Sequence, residues 1–337
     1  MDRSSDPAGV LDASATPLAF GTAGSVLVER CQSCGARELE PIIFIGYLPP
    51  VNALPRIGSR PGEQLSYPAE VLRCPRCELV QLGLIVDPQI LFTPEYPYTS
   101  GTTRLLRGNF AELAREVSSI LTPPRGSLVV DIGSNDGTLL RNFQELEHRV
   151  RGIEPTDQGR RAEAAGIPTT IAFFGPDVAR ATVAEEGHAR IVTAANVFAH
   201  IEDVHSVIRG ILELLEPDGV FISESNYWLT LVESLQYDTI YHEHLRYYSL
   251  TALRNLLAPH GLEVFHAKRI PTHGGSIRVY AARIGRQPVR SSVAEILVLE
   301  QLGLGPERLR AFREGVMRSK LGLLALLDPL RARGERV

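Results

Sequence analysis

The densest concentration of ionisable and hydrogen-bonding groups in the chain is Tyr237-Asp-Thr-Ile-Tyr-His-Glu-His-Leu-Arg-Tyr-Tyr-Ser249, which sets tyrosine hydroxyls among two imidazoles, two carboxylates and an arginine. A solvated helix face rarely calls for aromatic hydroxyls beside histidines. An imidazole backed by a carboxylate is a general base with its tautomer fixed, so His244 is the candidate base, with Glu243 and Tyr241 beside it. Two other readings stand next to this one: a packed hydrogen-bond network without chemistry, and metal ligation. His242 and His244 lack the i, i+4 helical spacing of a paired-histidine metal site and are expected to face opposite sides.

A second set surrounds Val130-Asp-Ile-Gly-Ser-Asn-Asp-Gly-Thr-Leu139, where a buried strand runs into a loop with glycines at 133 and 137 before a helix. Such a turn puts the loop at the carboxyl edge of a sheet, and its glycines let backbone approach a ligand. Glu154 ends the next strand about twenty residues on, the place from which a carboxylate accepts from ribose hydroxyls. The spacing is not Gly-x-Gly-x-x-Gly, and Asp131, Asn135 and Asp136 would repel a pyrophosphate. A ligand with a ribose, no phosphate and a positive centre fits better, and S-adenosylmethionine is that ligand. Asp131, Gly133, Asn135, Gly137, Glu154, Pro155, Asn196 and Val197 form the expected cofactor set. The bland alternative is a strand-to-helix turn with no ligand.

The four cysteines fall in two Cys-x-x-Cys pairs, Cys31/Cys34 and Cys74/Cys77, with 39 residues between them, Gly35 to Arg73. Four thiolates suit one tetrahedral Zn²⁺ in a closed structural site. Loop closure over that separation costs little more than over a shorter one. Paired disulfides do not suit the cytoplasmic setting expected of the chain, and no redox motif speaks for an iron–sulfur cluster.

These residues need elements to hold them. From Leu27 to Asp87 short apolar runs broken by Pro and Gly read as brief strands that only a staple such as a metal would stabilise. Beyond a Pro/Tyr-rich bridge at 92–101 the pattern alternates: helix 109–121, strand 128–132, helix 138–147, strand 150–154, helix 158–165, strand 191–196, helix 204–215, strand 220–223. This predicts an α/β fold, a doubly wound Rossmann-like parallel sheet. Residues 270–284 then alternate like strands around the His273-Gly-Gly-Ser turn, which reads equally as a plain hairpin, and 293–330 reads as amphipathic helices broken near 303–306. His200 falls just past a strand end, as a packing residue or a catalyst. The expected domains are a disordered tail at 1–24, a zinc-binding domain at 25–90, a methyltransferase domain at 91–285 and a helical segment at 286–337.

With 337 residues and a net charge of -4, the chain can bury a full core and has no general electrostatic reason to bind nucleic acid. No signal peptide or membrane-length apolar run is present, so no membrane partner is expected.

Assembled, the chain resembles the C-methyltransferases that act on nucleotide-linked keto sugars in antibiotic deoxysugar pathways. The elements that carry the resemblance are Cys31-x-x-Cys-Gly with Cys74-x-x-Cys, Tyr96-Pro-Tyr98-Thr-Ser-Gly, Asp131-Ile-Gly-Ser-Asn-Asp-Gly-Thr-Leu-Leu, Tyr241-His-Glu-His-Leu-Arg-Tyr-Tyr-Ser and His273-Gly-Gly-Ser, in family order from about residue 31 to 280. The resemblance implies a class I methyltransferase fold, S-adenosylmethionine as donor, structural zinc and a small-molecule acceptor, a nucleotide-linked keto sugar. It implies that His244 removes the proton next to a ketone and that the enolate attacks the sulfonium methyl. Tyr241 and Glu243 would position that base, while Tyr98 or Tyr96 with His200 would hydrogen-bond the sugar carbonyl. Members of the family continue into a second α/β lobe, whose first strand is expected where this chain ends, after Leu330. The rival functions are O- or N-methylation of another small metabolite, and a zinc-dependent scaffold with a degenerate methyltransferase fold.

Overall fold

The structure, a computed structural model, describes residues 24–54, 57–58, 62, 64–91 and 99–335. The N-terminal tail to residue 23, Tyr96 and Tyr98 lie outside the described residues.

The N-terminal module is a meander of β1 (Glu40–Leu48), β2 (Tyr67–Arg73) and β3 (Val80–Leu82), paired antiparallel in sequence order. Each cysteine pair sits on the same tight turn. Cys31 N–H donates to Ala36 O at 2.8 Å and Gly35 N–H to Cys31 O at 2.9 Å; Cys74 N–H donates to Leu79 O at 2.8 Å and Glu78 N–H to Cys74 O at 2.9 Å. Both turns need one left-handed residue, supplied by Gly35 at φ 70° and by Glu78 at φ 62°. Glu78 has a Cβ and so meets a steric penalty there, which the two hydrogen bonds from Arg73 at 2.8 and 2.7 Å help offset.

Helix α1 (Arg104–Leu121) follows, its first turn closed by Thr103 Oγ1 accepting from Leu106 N–H at 3.3 Å. Its buried side chains Leu106, Phe110, Leu113, Ala114, Val117 and Leu121 keep the helical period and cover one face of the main sheet. That sheet is built by β4 (Leu128–Ile132), α2 (Thr138–Glu145), β5 (Arg149–Ile153), α3 (Asp157–Ala164), β6 (Thr169–Thr170), α4 (Pro176–Glu186), β7 (Ala189–Ala195), α5 (Val204–Leu214) and β8 (Leu215–Asn226). Helix α6 (Trp228–Ser234), strand β9 (Arg246–Tyr247) and α7 (Leu250–Leu257) lead to the hairpin of β10 (Leu262–Ile270) and β11 (Ser276–Arg283).

Seven strands lie in the order β10-β11-β8-β7-β4-β5-β6, parallel except for β11, which runs antiparallel to both neighbours. The parallel strands are apolar on both faces, β4 being buried at every residue. Their carboxyl ends share one edge, which gathers the glycine loop, Glu154 and the turn that carries His200.

Helices α8 (Ser291–Gly303) and α9 (Pro306–Ala332) close the chain, with the break at Leu304–Gly305 where the glycine and proline predict it. Glu300 docks α8: buried, it accepts from Tyr227 Oη at 2.9 Å, Thr251 N–H at 2.9 Å and Thr251 Oγ1 at 2.6 Å, and so caps α7 from outside. No helix among the described residues is long and apolar enough to cross a membrane.

Candidate active site

The histidine block is a turn: His244 N–H bonds back to Tyr241 O at 3.0 Å. Immediately after it, β9 joins the sheet of the N-terminal module, Arg246 opposite Gln81 and Tyr247 opposite Val80. Leu82 N–H donates to Leu245 O at 3.0 Å, and Leu245 N–H donates to Ala199 O at 3.0 Å. Arg246, fully buried, donates to Glu202 O at 2.6 Å and to Ile201 O. One segment is thus stitched on one side to the cysteine module and on the other to the turn after β7.

That arrangement brings His244 and His200 together, their rings edge to face with centroids 4.9 Å apart. His244 Nδ1 lies 3.0 Å from Thr239 O and Nε2 lies 3.0 Å from Tyr241 Oη. A carbonyl only accepts, so Nδ1 carries the proton and Nε2 the lone pair. The carboxylate that was to orient this base does not do so. Glu243, buried, accepts from Asn52 Nδ2 at 2.6 Å, across to the N-terminal module, and Thr239 O takes its place as the group that fixes the tautomer. His242 turns away as expected, donating from Nε2 to Pro68 O at 3.2 Å.

Burial pushes His244 down to about 4, with His273 adding to the shift and the Thr239 carbonyl opposing it. Burial, with His244 and His273 nearby, pushes His200 down to about 3. Both imidazoles are neutral at neutral pH, one state able to accept a proton and the other able to donate a hydrogen bond without repelling it. His273, from the His273-Gly-Gly-Ser turn that the sequence marked without giving it a role at the site, joins the pair. It stands at φ 51° on the β10–β11 tip, a left-handed backbone unusual for a residue with a Cβ.

On the glycine side, Gly133 and Gly137 are left-handed, at φ 68° and 75°. Their missing Cβ atoms are explained by protein: a Cβ would lie 2.4 Å from Val197 Cγ2 at Gly133 and 2.9 Å from Ile167 Cγ1 at Gly137. The glycines are thus required by packing, beside whatever approach of the backbone to a ligand they allow. Val197 also accepts from His200 N–H at 2.8 Å through its carbonyl, so one short turn reaches from the glycine loop to the histidine pair. Asn135, at φ 50°, accepts Ser100 N–H at 2.9 Å through Oδ1, and Asp136 accepts Gly101 N–H at 2.9 Å, which docks the strap at 99–102 on the loop.

A cationic donor fits the charges at this edge. Glu154, buried, accepts from Asn135 N–H at 3.0 Å through Oε2, and from Thr156 N–H at 3.0 Å and Oγ1 at 2.6 Å through Oε1. Its Oε2 keeps a lone pair for a hydroxyl. Asp131 is buried at the end of β4 and bonded by Thr193 Oγ1 at 2.6 Å. Burial, and after it the charges of Glu154 and Glu224, push Asp131 up to about 7. Asn196 Oδ1, just past β7, and Ser225 Oγ, on β8, are buried with no hydrogen-bond partner among the described residues. Pro155 follows Glu154 into the turn before α3.

A cation seated here favours ionised Asp131, so its binding should release a proton below about pH 7 and tighten as pH rises through that value. Calorimetry with S-adenosylmethionine in buffers of different ionisation enthalpy is expected to give proton release at pH 6 that disappears in Asp131→Asn. Equal proton uptake in both proteins would contradict the charge argument.

The cysteine sulfurs fit a tetrahedral metal. All four Sγ atoms lie within 4.8 Å of one another, Cys31–Cys77 at 3.4 Å and Cys34–Cys74 at 3.5 Å, close to the ~3.8 Å edge of a tetrahedron with 2.3 Å Zn–S bonds. Crowding raises the thiols: Cys34 goes up to about 11, chiefly by burial, and Cys77 rises chiefly through its bond with Cys31. A closed set of four leaves no position for a reactant, so the metal's role is to hold the module.

Three family models match the chain: a zinc binding domain over residues 31–92, a methyltransferase domain over 105–267 and a C-methyltransferase C-terminal domain over 271–337. The chain is 33% identical over 276 residues to C-methyltransferase NovU of Streptomyces niveus, which covers 81% of this chain and 66% of that protein. It is 26% identical over 141 residues to a ubiquinone biosynthesis O-methyltransferase of Paramagnetospirillum magneticum, 40% of this chain and 55% of that one. Among solved structures, magnesium protoporphyrin IX methyltransferase of Synechocystis PCC 6803 with bound SAH superposes on 52% of this chain and 83% of its own, with TM-score 0.42 and 17% identity.

Proposed function

We propose, because the chain is a homologue of C-methyltransferase NovU and belongs domain by domain to the zinc-binding, methyltransferase and C-methyltransferase C-terminal families, that it is an S-adenosylmethionine-dependent C-methyltransferase. Its acceptor is a carbon next to a ketone, on a nucleotide-linked keto-deoxysugar of antibiotic biosynthesis. The observation that carries the reading is the state of His244: Nδ1 pinned on the Thr239 carbonyl, Nε2 basic and the ring neutral, against a second neutral imidazole.

When bound, S-adenosylmethionine supplies an electrophilic methyl group. His244 Nε2 takes the proton from the acceptor carbon, and the C–H pair becomes the enolate that forms the new C–C bond. Tyr241, which donates to Nε2 while no acceptor is present, is displaced by the acceptor and turns its hydroxyl toward the ketone oxygen. His200 donates a hydrogen bond to the same oxygen as charge develops there. Tyr96 and Tyr98 keep the carbonyl-binding part that the family resemblance assigns them. Glu243, held by Asn52, positions the block rather than the base itself. Most of the rate gain comes from alignment of carbon and methyl in a site that excludes water.

In deuterium oxide, the full chain with a nucleotide-linked keto-deoxysugar and no methyl donor is expected to wash deuterium into the carbon next to the ketone, followed by NMR. No exchange together with a methylated hydroxyl as product would replace this reading with O-methylation.

A further inference from the structure

His244 ends methyl transfer as an imidazolium, because the proton it takes from the acceptor carbon has nowhere to return once the new C–C bond has formed. The ring must shed that proton before a second acceptor can be deprotonated, and burial disfavours the charged state meanwhile. The groups around it are poor takers. Thr239 O already accepts from Nδ1, Tyr241 Oη serves the ketone oxygen, and His200, pushed down to about 3, is a weak base.

His273 differs from His200 in reaching solvent. It is exposed, while His244 and His200 are half-buried. The protein around it lowers it all the same, so it stands in a concavity that water enters. Its ring makes no hydrogen bond or ring contact among the described residues, and its charge is felt at both His244 and His200.

The fold aims this side chain. Strand β11 runs antiparallel to β8 with Ser276 opposite Asn226, which puts the hairpin tip at the carboxyl edge of the main sheet. A chain of hydrogen bonds then leads from the residue after His273 to the base. Gln236 Nε2 donates to Gly274 O at 2.7 Å, Gln236 O accepts from Thr239 Oγ1 at 2.8 Å, and Thr239 O accepts from His244 Nδ1 at 3.0 Å. A Cβ would lie 2.0 Å from Gln236 Oε1 at Gly274 and 2.3 Å from Thr230 Cγ2 at Gly275, so the tip is wedged against α6 and the turn after it. That wedge sustains the left-handed backbone of His273, φ 51° and ψ 40°, which is costly for a residue with a Cβ. Strain spent on an imidazole that bonds to nothing points to chemistry rather than packing.

We propose that His273 is the proton relay of the site, carrying to solvent the proton that His244 collects. The N–H bond at His244 Nε2 breaks as a new N–H bond forms on the unprotonated ring nitrogen of His273. His273, cationic where water can solvate it, then releases a proton to water, and both imidazoles are neutral again. The assignment rests on the methyltransferase reading above and deepens it.

The test is His273→Asn in the full chain, since asparagine tolerates a left-handed backbone and carries no proton. In deuterium oxide with a nucleotide-linked keto-deoxysugar and no methyl donor, wash-in next to the ketone should slow at least about tenfold, because the proton held by His244 returns to the carbon it left. Steady-state turnover should slow with it, while methyl transfer in a single turnover, with enzyme in excess, stays within about twofold of the wild type. Free imidazole should restore wash-in and steady-state turnover. S-adenosylhomocysteine should bind both proteins within about twofold of one another, which reports a folded donor site. Wash-in and turnover within about twofold of the wild type, or a single-turnover rate that falls in step with them and is not restored by imidazole, overturns the relay. A wild type without wash-in overturns the ketone reading, and the relay with it.

Discussion

His244→Ala is expected to lower turnover by roughly 10²- to 10⁴-fold, the span a positioned general base contributes, while S-adenosylhomocysteine affinity stays within about twofold because the base acts in the transition state. The contacts explain why the effect should be confined to chemistry. Among the described residues, the partners of this side chain are Thr239 O and Tyr241 Oη, not the glycine loop, Glu154 or Asp131. Deuterium exchange into the acceptor should vanish together with methylation; exchange that survives in the variant would hand the base to His200 or Tyr241. The wild-type pH profile gives an independent check. With His244 pushed down to about 4, the base stays unprotonated through the mildly acidic range, so with the methyl donor saturating, kcat/KM for the acceptor should hold down to near pH 4 and not fall near pH 6.5, the usual imidazole value. The sign for stability runs with it. A histidine lowered by burial is protonated first in the unfolded chain, so its contribution is complete above about pH 6.5 and is lost as pH falls toward 4. The variant should therefore be less sensitive to acid than the wild type, measured by thermal unfolding at pH 7 and pH 5.

Local patterns were enough to place most of this architecture. The strand at Leu128–Ile132, the glycine turn and the cysteine pairs each carry their cause within a few residues: continuous apolar side chains, positive φ, four sulfurs in two tight loops. Where the cause is distant or the pattern weak, the sequence was silent. Helix α4 buries only Ala179 and Thr182, so no apolar stripe marks it, and β6 is two residues long. Strand β10 escaped because a register shift between Val264 and His266 breaks its alternation. In the candidate site, the identity of the base could be argued from residue types, but its orienting partner could not. Glu243 stands next to it in the chain, yet the fold pairs that carboxylate with Asn52, 191 positions away. The place of His273 beside the other two imidazoles was illegible for the same reason, since only the packing of the hairpin tip brings it there.

Cys31→Ser, or removal of metal by a chelator, is expected to cost turnover as well as stability, although no cysteine touches the reactants. A four-cysteine structural zinc contributes on the order of 10–16 kcal/mol of apparent binding energy in small modules, on top of the packing of Ile42, Val71, Val80 and Leu82 against Trp228 and Tyr247. Losing one ligand should release the two cysteine turns, and β3 lies directly after the second: Cys74 N–H bonds to Leu79 O at 2.8 Å, and Val80 begins the strand. Strand β3 is the partner of β9, and Leu82 N–H holds Leu245 O at 3.0 Å, one residue from His244. Asn52 and Pro68 of the same module hold Glu243 and His242. Melting the module therefore removes the supports of His242, Glu243 and Leu245 on either side of the base, and a displacement of about 1 Å is enough to cost on the order of 10²-fold in rate. The donor side rests on the main sheet and the strap at 99–102, which the module does not support through these bonds. Zinc content by mass spectrometry, melting temperature and turnover should fall together in Cys31→Ser, while S-adenosylhomocysteine still binds. A metal-free variant that turns over at the wild-type rate would show that the module is an appendage and that β9 holds the histidine block without it.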